Sequence, residues 1–220
     1  ATDITNIVAK YEYVSKMRAS FNVLGALVAR CKEAIVALPG GCAIGERRVD
    51  LHIKGLQLLG ADVSIENGYV LANGSKLKGV DISLSMPSVG ATINTMLVAV
   101  KAKGLTIIEN AAKEPEIVNV ATFLNNMGAK ITGAGTSEIR IKGVEKLHGA
   151  YTEVIPDRIE TGTYVIAGAL LGDNLRIENI IPDHVESLTL KLSEMGAKLD
   201  IGKNYINISK ADNLKSVNLK

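Results

Sequence analysis

Residues 38 to 53 read LPGGCAIGERRVDLHI and gather a thiol, two guanidinium groups, two carboxylates and an imidazole in one short stretch. Gly40, Gly41 and Gly45 permit backbone conformations closed to other residues and let main-chain N–H groups come close to an anion. Arg47 and Arg48 follow Cys42 by five and six residues and offer planar forks suited to phosphate or carboxylate. A cysteine among such cations has its thiolate favoured, so Cys42 could serve as acid, base or nucleophile near neutral pH. The local pattern leaves a second reading open, because glycine-rich stretches are also plain turns and cysteines are also small buried hydrophobes. Cys31 shows the contrast: it closes an apolar helix in VARCKEA with no glycine beside it and reads as structural.

Several standard chemistries do not fit. GGCAIG is followed by neither Gly-Lys-Ser nor Gly-Lys-Thr, so it is not a P-loop, and it lacks the dinucleotide fingerprint. His52, His148 and His184 stand apart in sequence, which suggests no metal cluster and no metal cofactor. Two further stretches echo the anion theme. PSVGAT, residues 87 to 92, opens an apolar helix with Ser88, Gly90 and Thr92 and is either a phosphate site at a helix N-terminus or a plain N-cap. PDRIETGT, residues 156 to 163, carries Asp157, Arg158 and Glu160 at the equivalent point further on and reads as a capped helix with ion pairs.

The elements that must hold these residues repeat. A Gly-Ala pair ends a helical pattern in GLQLLGAD, FLNNMGAK and KLSEMGAK, at Gly60, Gly128 and Gly196, at intervals of 68 residues. Upstream, segments starting at Arg18, Ser88 and Arg158 align, each followed by an aliphatic run: IVAL at 35 to 38, LTII at 105 to 108 and LRI at 175 to 177. One unit of about 70 residues is therefore used three times: apolar helix, short strand, loop, amphipathic helix with a glycine C-cap, hairpin. Such a period exceeds that of ordinary solenoids and favours closed packing of α/β units, with the apolar helices inside and sheets around them. The repeat also acts as a control on the first loop. From Arg18 to Gly60, Ser88 to Gly128 and Arg158 to Gly196 the span shortens from 42 to 40 to 38 residues. The extra length falls where the other units have ENAAKEPEI and ENIIPDHV, and only there have glycines, a thiol and two arginines accumulated.

Composition narrows the partners. The 220 residues are 47% hydrophobic, and 25 basic against 23 acidic residues leave a net charge of +2 with no block of like charge. This is an ordinary globular balance with no marker of a nucleic-acid or membrane surface. The longest apolar windows, such as Tyr164 to Leu171, fall far short of the ~20 residues of a bilayer span. The N-terminal residues carry no leader pattern, and two cysteines suit a reducing compartment, so the expectation is a cytoplasmic protein.

LPGGCAIGERRVDLHIKGLQLLGA, with MRAS before it, PSVGAT and IIENAAKEPEIV after it and PDRIETGT further on, resembles the UDP-N-acetylglucosamine enolpyruvyl transferase (MurA) family over essentially the whole chain. The resemblance implies transfer of the enolpyruvyl group of phosphoenolpyruvate to the 3′-hydroxyl of UDP-N-acetylglucosamine, the first committed step of peptidoglycan synthesis, without any cofactor. It also implies an inside-out α/β barrel built from repeated units, with the substrates held between two domains. Cys42 corresponds to the family's lid cysteine, which protonates the phosphoenolpyruvate methylene carbon or assists product release and is the residue alkylated by fosfomycin. By the same carry-over Arg47 contacts phosphoenolpyruvate and the UDP-sugar, and Arg48, Val49, Asp50 and Leu51 line the nucleotide-sugar site. Arg18 contacts the UDP-sugar, and Ser88, Val89 and Gly90 hold its diphosphate. This loop departs from the family at Arg48, usually proline, and at Glu46, usually a small residue.

On the family's layout residues 1–155 form part of the loop-bearing domain and residues 156–220 the first part of the second. The lysine-asparagine motif that grips phosphoenolpyruvate is expected before Ala1, and the catalytic aspartate and later arginines after Lys220. Remaining segments of the same enzyme are thus expected partners, and the chain alone is expected to be poorly active. A UDP-sugar-binding module without turnover is the alternative expectation.

Overall fold

A computed structural model describes residues 3–40 and 49–218, which divide into two compact units, Ala1–Glu153 and Val154–Lys220. The first unit opens with strand β1 (Val8–Ala9), helix α1 (Tyr11–Val14) and a 3₁₀ turn at Arg18–Asn22. Helix α2 (Val23–Cys31), strand β2 (Glu33–Ala37), helix α3 (Asp50–Leu58) and the hairpin β3 (Asp62–Glu66) and β4 (Tyr69–Asn73) follow. The series then recurs as β5 (Asp81–Ser83), α4 (Val89–Ala99), β6 (Leu105–Glu109), α5 (Pro115–Asn126), β7 (Lys130–Thr132) and β8 (Glu138–Lys142). The second unit runs α6 (Arg158–Leu171), β9 (Leu175–Glu178), α7 (Glu186–Glu194), β10 (Leu199–Ile201) and β11 (Tyr205–Ile208).

All three sheets share one wiring. The hairpin folds back so that its second strand pairs antiparallel with the strand after the inner helix, giving the orders β1-β2-β4-β3, β5-β6-β8-β7 and β9-β11-β10. Ile35 lies opposite Leu71, Ile107 opposite Arg140 and Ile177 opposite Ile206. The period-two pattern is clearest in EIRIK of β8, where Ile139 and Ile141 are buried and Glu138, Arg140 and Lys142 face water. β1 and β5 add a parallel edge strand to the first two sheets.

The capping glycines of the repeat behave alike. Gly60, Gly128 and Gly196 have φ of +91°, +100° and +104°, a region that favours residues without a Cβ. Each donates its N–H three residues back, and the next alanine donates five residues back: Ala61 to Leu56, Ala129 to Leu124, Ala197 to Leu192, all at 2.9 to 3.0 Å. This Schellman-type closure uses carbonyls the helix ends would otherwise leave open and turns the chain into the hairpin.

Each unit has its own core. In the first, α4 is the innermost element: no residue from Val89 to Val100 is exposed, and Met96, Val98 and Ala99 are fully buried. The helix is buried on all sides because α2, α3 and α5 all pack on it. Gly25 of α2 and Gly55 of α3 face Asn94 and Thr95 of α4 so closely that a Cβ at either would collide. Large side chains around this axis, among them Leu24, Leu56 and Met96, each contribute about 1.5–3 kcal/mol by burial.

Candidate functional site

Three elements of the first unit meet at a cleft of about 420 Å³. The 3₁₀ turn supplies Arg18, Phe21 and Asn22, α3 supplies His52, and the start of α4 supplies Ser88, Val89 and Gly90. Ser88 is extended, at φ −142°, and caps α4: its hydroxyl accepts from the Ala91 N–H at 3.4 Å and its carbonyl accepts from Thr92 N–H at 2.9 Å. The N–H groups of Val89 and Gly90 consequently have no acceptor within the helix. With the positive end of the helix dipole behind them and the Arg18 guanidinium on the same cleft, these groups suit a phosphate or carboxylate.

His52 is 5% exposed and sits on a stripe with Gly55, Leu56 and Leu59, the inward face of α3 and the residue after it. Its ring meets Phe21 edge to face at 5.2 Å, and its Nδ1 lies 2.8 Å from the Asn94 carboxamide nitrogen. The Cε1–Nε2 edge rests against Gly90, where a Cβ would come within 2.6 Å of Cε1 and 3.0 Å of Nε2. Burial lowers the imidazole pKa to about 4, the Arg18 charge pushes the same way and the Asp50 carboxylate opposes, so the ring is neutral at pH 7.

Of the residues singled out in the sequence, this cleft brings together Arg18, Ser88, Val89 and Gly90, from segments 70 residues apart. Val49 stands just before α3 and packs against the core, Asp50 is the first residue of α3, and Leu51 is half-buried; none of the three lines the cleft. Cys42, Arg47 and Arg48 lie outside the described residues. The equivalent loops of the other repeats turn through Asn110 and Asn179, both at positive φ, whereas the first loop has Leu38-Pro39-Gly40 after its strand. Asp157 caps α6 by accepting from Ile159 N–H at 2.7 Å and Glu160 N–H at 3.2 Å, as a capped helix start requires.

His52 and Asn94 escape a reading by motif. The available signal was periodicity: His52 falls on the apolar stripe of α3, and Asn94 sits amid an apolar helix, where a polar side chain must find partners. Among the described residues no group of three or more His, Cys, Asp or Glu could hold a metal ion, and no helix is long and apolar enough to cross a membrane.

The folded repeat defines a class before any closer likeness is considered. The enolpyruvyl transferase NikO from Streptomyces tendae superposes with a TM-score of 0.79 over 96% of this chain and 50% of its own, at 23% identity, which speaks for the fold alone. The family described as EPSP synthase (3-phosphoshikimate 1-carboxyvinyltransferase) matches residues 1–220, and the chain belongs to it. Within that family it is similar to UDP-N-acetylglucosamine 1-carboxyvinyltransferase 1 of Caldanaerobacter subterraneus subsp. tengcongensis, 54% identical over 218 residues, or 99% of this chain and 52% of the relative. UDP-N-acetylglucosamine 1-carboxyvinyltransferase 2 of Geobacillus kaustophilus is 56% identical over 207 residues, 94% of this chain and 48% of the relative. The chain spans about half the length of the curated relatives it matches. The resemblance read from the sequence and the α/β fold it implied both stand.

Proposed function

We propose that this chain carries the UDP-sugar cradle and the lid cysteine of an enzyme that transfers the enolpyruvyl group of phosphoenolpyruvate to the 3′-hydroxyl of UDP-N-acetylglucosamine. In this reaction the sugar hydroxyl gives up its proton to a base as its oxygen adds to C2 of phosphoenolpyruvate and C3 takes a proton; loss of a proton from C3 and of phosphate from C2 then restores the double bond. The observation that carries the reading is the cleft lined by Arg18 together with Val89 and Gly90, whose N–H groups are open beside the Ser88 cap. A diphosphate fits that chemistry, and the names of relatives more than half identical supply the nucleotide sugar.

In this reading Cys42 protonates C3 or assists product release, Arg47 contacts phosphoenolpyruvate and the UDP-sugar, and Arg48, Val49, Asp50 and Leu51 line the nucleotide-sugar site. Residues 1–155 belong to the loop-bearing domain and 156–220 begin the second, and the reaction places the protein in peptidoglycan synthesis in the cytoplasm as a fosfomycin target. Catalysis in this reading draws on groups from both domains, so remaining segments of the same enzyme complete the site. Phosphate release from phosphoenolpyruvate, dependent on UDP-N-acetylglucosamine, tests this with the chain alone and mixed with a chain supplying those segments. Silence alone and turnover on mixing, abolished by Cys42→Ala, is the expected result; turnover and fosfomycin sensitivity that survive Cys42→Ala contradict the role of the cysteine.

A further inference from the structure

The Asn94 carboxamide joins three elements at the inner wall of the cleft. Its Oδ1 accepts from the Gly25 backbone N–H of α2 at 2.8 Å. A main-chain amide can only donate, so that bond fixes which end of the side chain is oxygen. The Nδ2 group then points the other way, where it donates to the Phe21 carbonyl at 3.4 Å and stands 2.8 Å from His52 Nδ1. An amide nitrogen has no lone pair to offer, so Nδ1 must accept, and the proton of the neutral ring is left on Nε2. That nitrogen lies on the edge of the ring that rests against Gly90, at the first turn of α4. The charged side chains that act on the ring are Arg18 and Asp50, from the 3₁₀ turn and from α3 itself.

We propose that Asn94 is a positioning residue that holds His52 as the Nε2–H tautomer, so that the imidazole adds one neutral donor to the N–H groups of Val89 and Gly90 for the diphosphate oxygens of the bound nucleotide. The ligand part rests on the function proposed above; the tautomer does not. A neutral donor of fixed direction suits an anion held beside Arg18, because it adds a hydrogen bond without placing a second cation against the guanidinium.

The test is a two-dimensional 15N spectrum of the imidazoles of the 220-residue chain, with the His52 signals assigned by their loss in His52→Gln. The expected result is a pyrrole-type Nε2 and a pyridine-type Nδ1 for His52, with Nε2 moving on titration with UDP-N-acetylglucosamine. In Asn94→Asp the carboxylate still accepts from Gly25 N–H but also accepts from Nδ1, so the proton is expected on Nδ1 and the affinity for UDP-N-acetylglucosamine is expected to fall about tenfold. A proton on Nδ1 in the unsubstituted chain, or an unchanged tautomer in a folded Asn94→Asp, overturns the positioning role with or without ligand. An unmoved Nε2 while the Val89 and Gly90 amides shift overturns the donor role alone. If neither the ring nor those amides respond, the ligand assignment above is overturned and the donor role falls with it.

Discussion

Helices α4 and α6 hold the same place in the repeat, and their surroundings differ sharply. Both begin with a side chain that caps the first turn, Ser88 or Asp157, and both are rich in aliphatic residues. Around α4 no residue is exposed, whereas α6 leaves Ile159, Tyr164, Ile166, Leu170 and Leu171 exposed. In the first unit two repeats bring α2 and α3 against α4, with Gly25 and Gly55 permitting the close approach; the second unit has a single repeat, whose sheet and α7 cover one side of α6. An inner helix of this fold is thus written for several neighbours, and one repeat supplies only part of them.

The polar content of the two helices differs in the same sense. α4 buries Thr92, Asn94 and Thr95, and it is the start of α4, with its open N–H groups and the imidazole beside them, that borders the cleft. At the start of α6 the Asp157 carboxylate already takes the N–H groups of Ile159 and Glu160. A carboxylate at that point would repel an anion, and Ser88 at the start of α4 carries no such charge.

Three experiments sharpen the comparison. The largest effect is expected from pH. His52 is lowered to about 4 in the folded chain against about 6.5 when unfolded, so between these values the unfolded state binds the additional proton and stability falls as pH falls. Hydrogen exchange of the α4 amides is expected to report a loss of about 3 kcal/mol from pH 7 to pH 4, absent in α6 and flattened by His52→Gln. An equal loss in both helices would deny the first unit its special dependence on the buried ring.

A smaller difference separates two glycines. A Cβ at Gly25 would stand 2.6 Å from Asn94 Oδ1 and 2.8 Å from the Asn94 carbonyl oxygen, so the backbone must move; at Gly162 of α6 it would meet only the flexible Leu188 Cδ2 at 3.1 Å. Gly25→Ala is expected to cost about 2–3 kcal/mol in urea unfolding, and Gly162→Ala to change stability by less than about 1 kcal/mol, because helix propensity offsets the tight contact. The smallest effects concern the caps: Ser88→Ala and Asp157→Ala each remove a cap for about 1 kcal/mol, but only Ser88→Ala is expected to weaken UDP-N-acetylglucosamine binding.

Much of this organisation was legible in the chain. The three Gly-Ala pairs announced helix ends, and their shared positive φ and shared hydrogen bonds follow from what a C-cap demands of its residue. Arg18 and Ser88–Gly90 were picked out by residue type and by likeness to a family. Their meeting at one cleft depends on α2 and α4 packing, which no local pattern encodes. The edge strands β1 and β5 escaped notice because two or three residues carry no measurable period. The helix expected from Arg18 onward starts as a 3₁₀ turn, which points Arg18 and Phe21 into the cleft before α2 begins. His52 and Asn94 each sit as a polar residue on an apolar face, but their pairing depends on the packing of α3 on α4, which the sequence pattern does not encode.

Hydrogen exchange with and without saturating UDP-N-acetylglucosamine decides whether the first unit holds the nucleotide sugar. Ligand protection is expected for the amides around 18–22 and 88–92 and not at the start of α6, although both helix starts are capped. Protection at the start of α6 instead, or unchanged exchange at both, would contradict the assignment of the nucleotide-sugar cradle to the first unit.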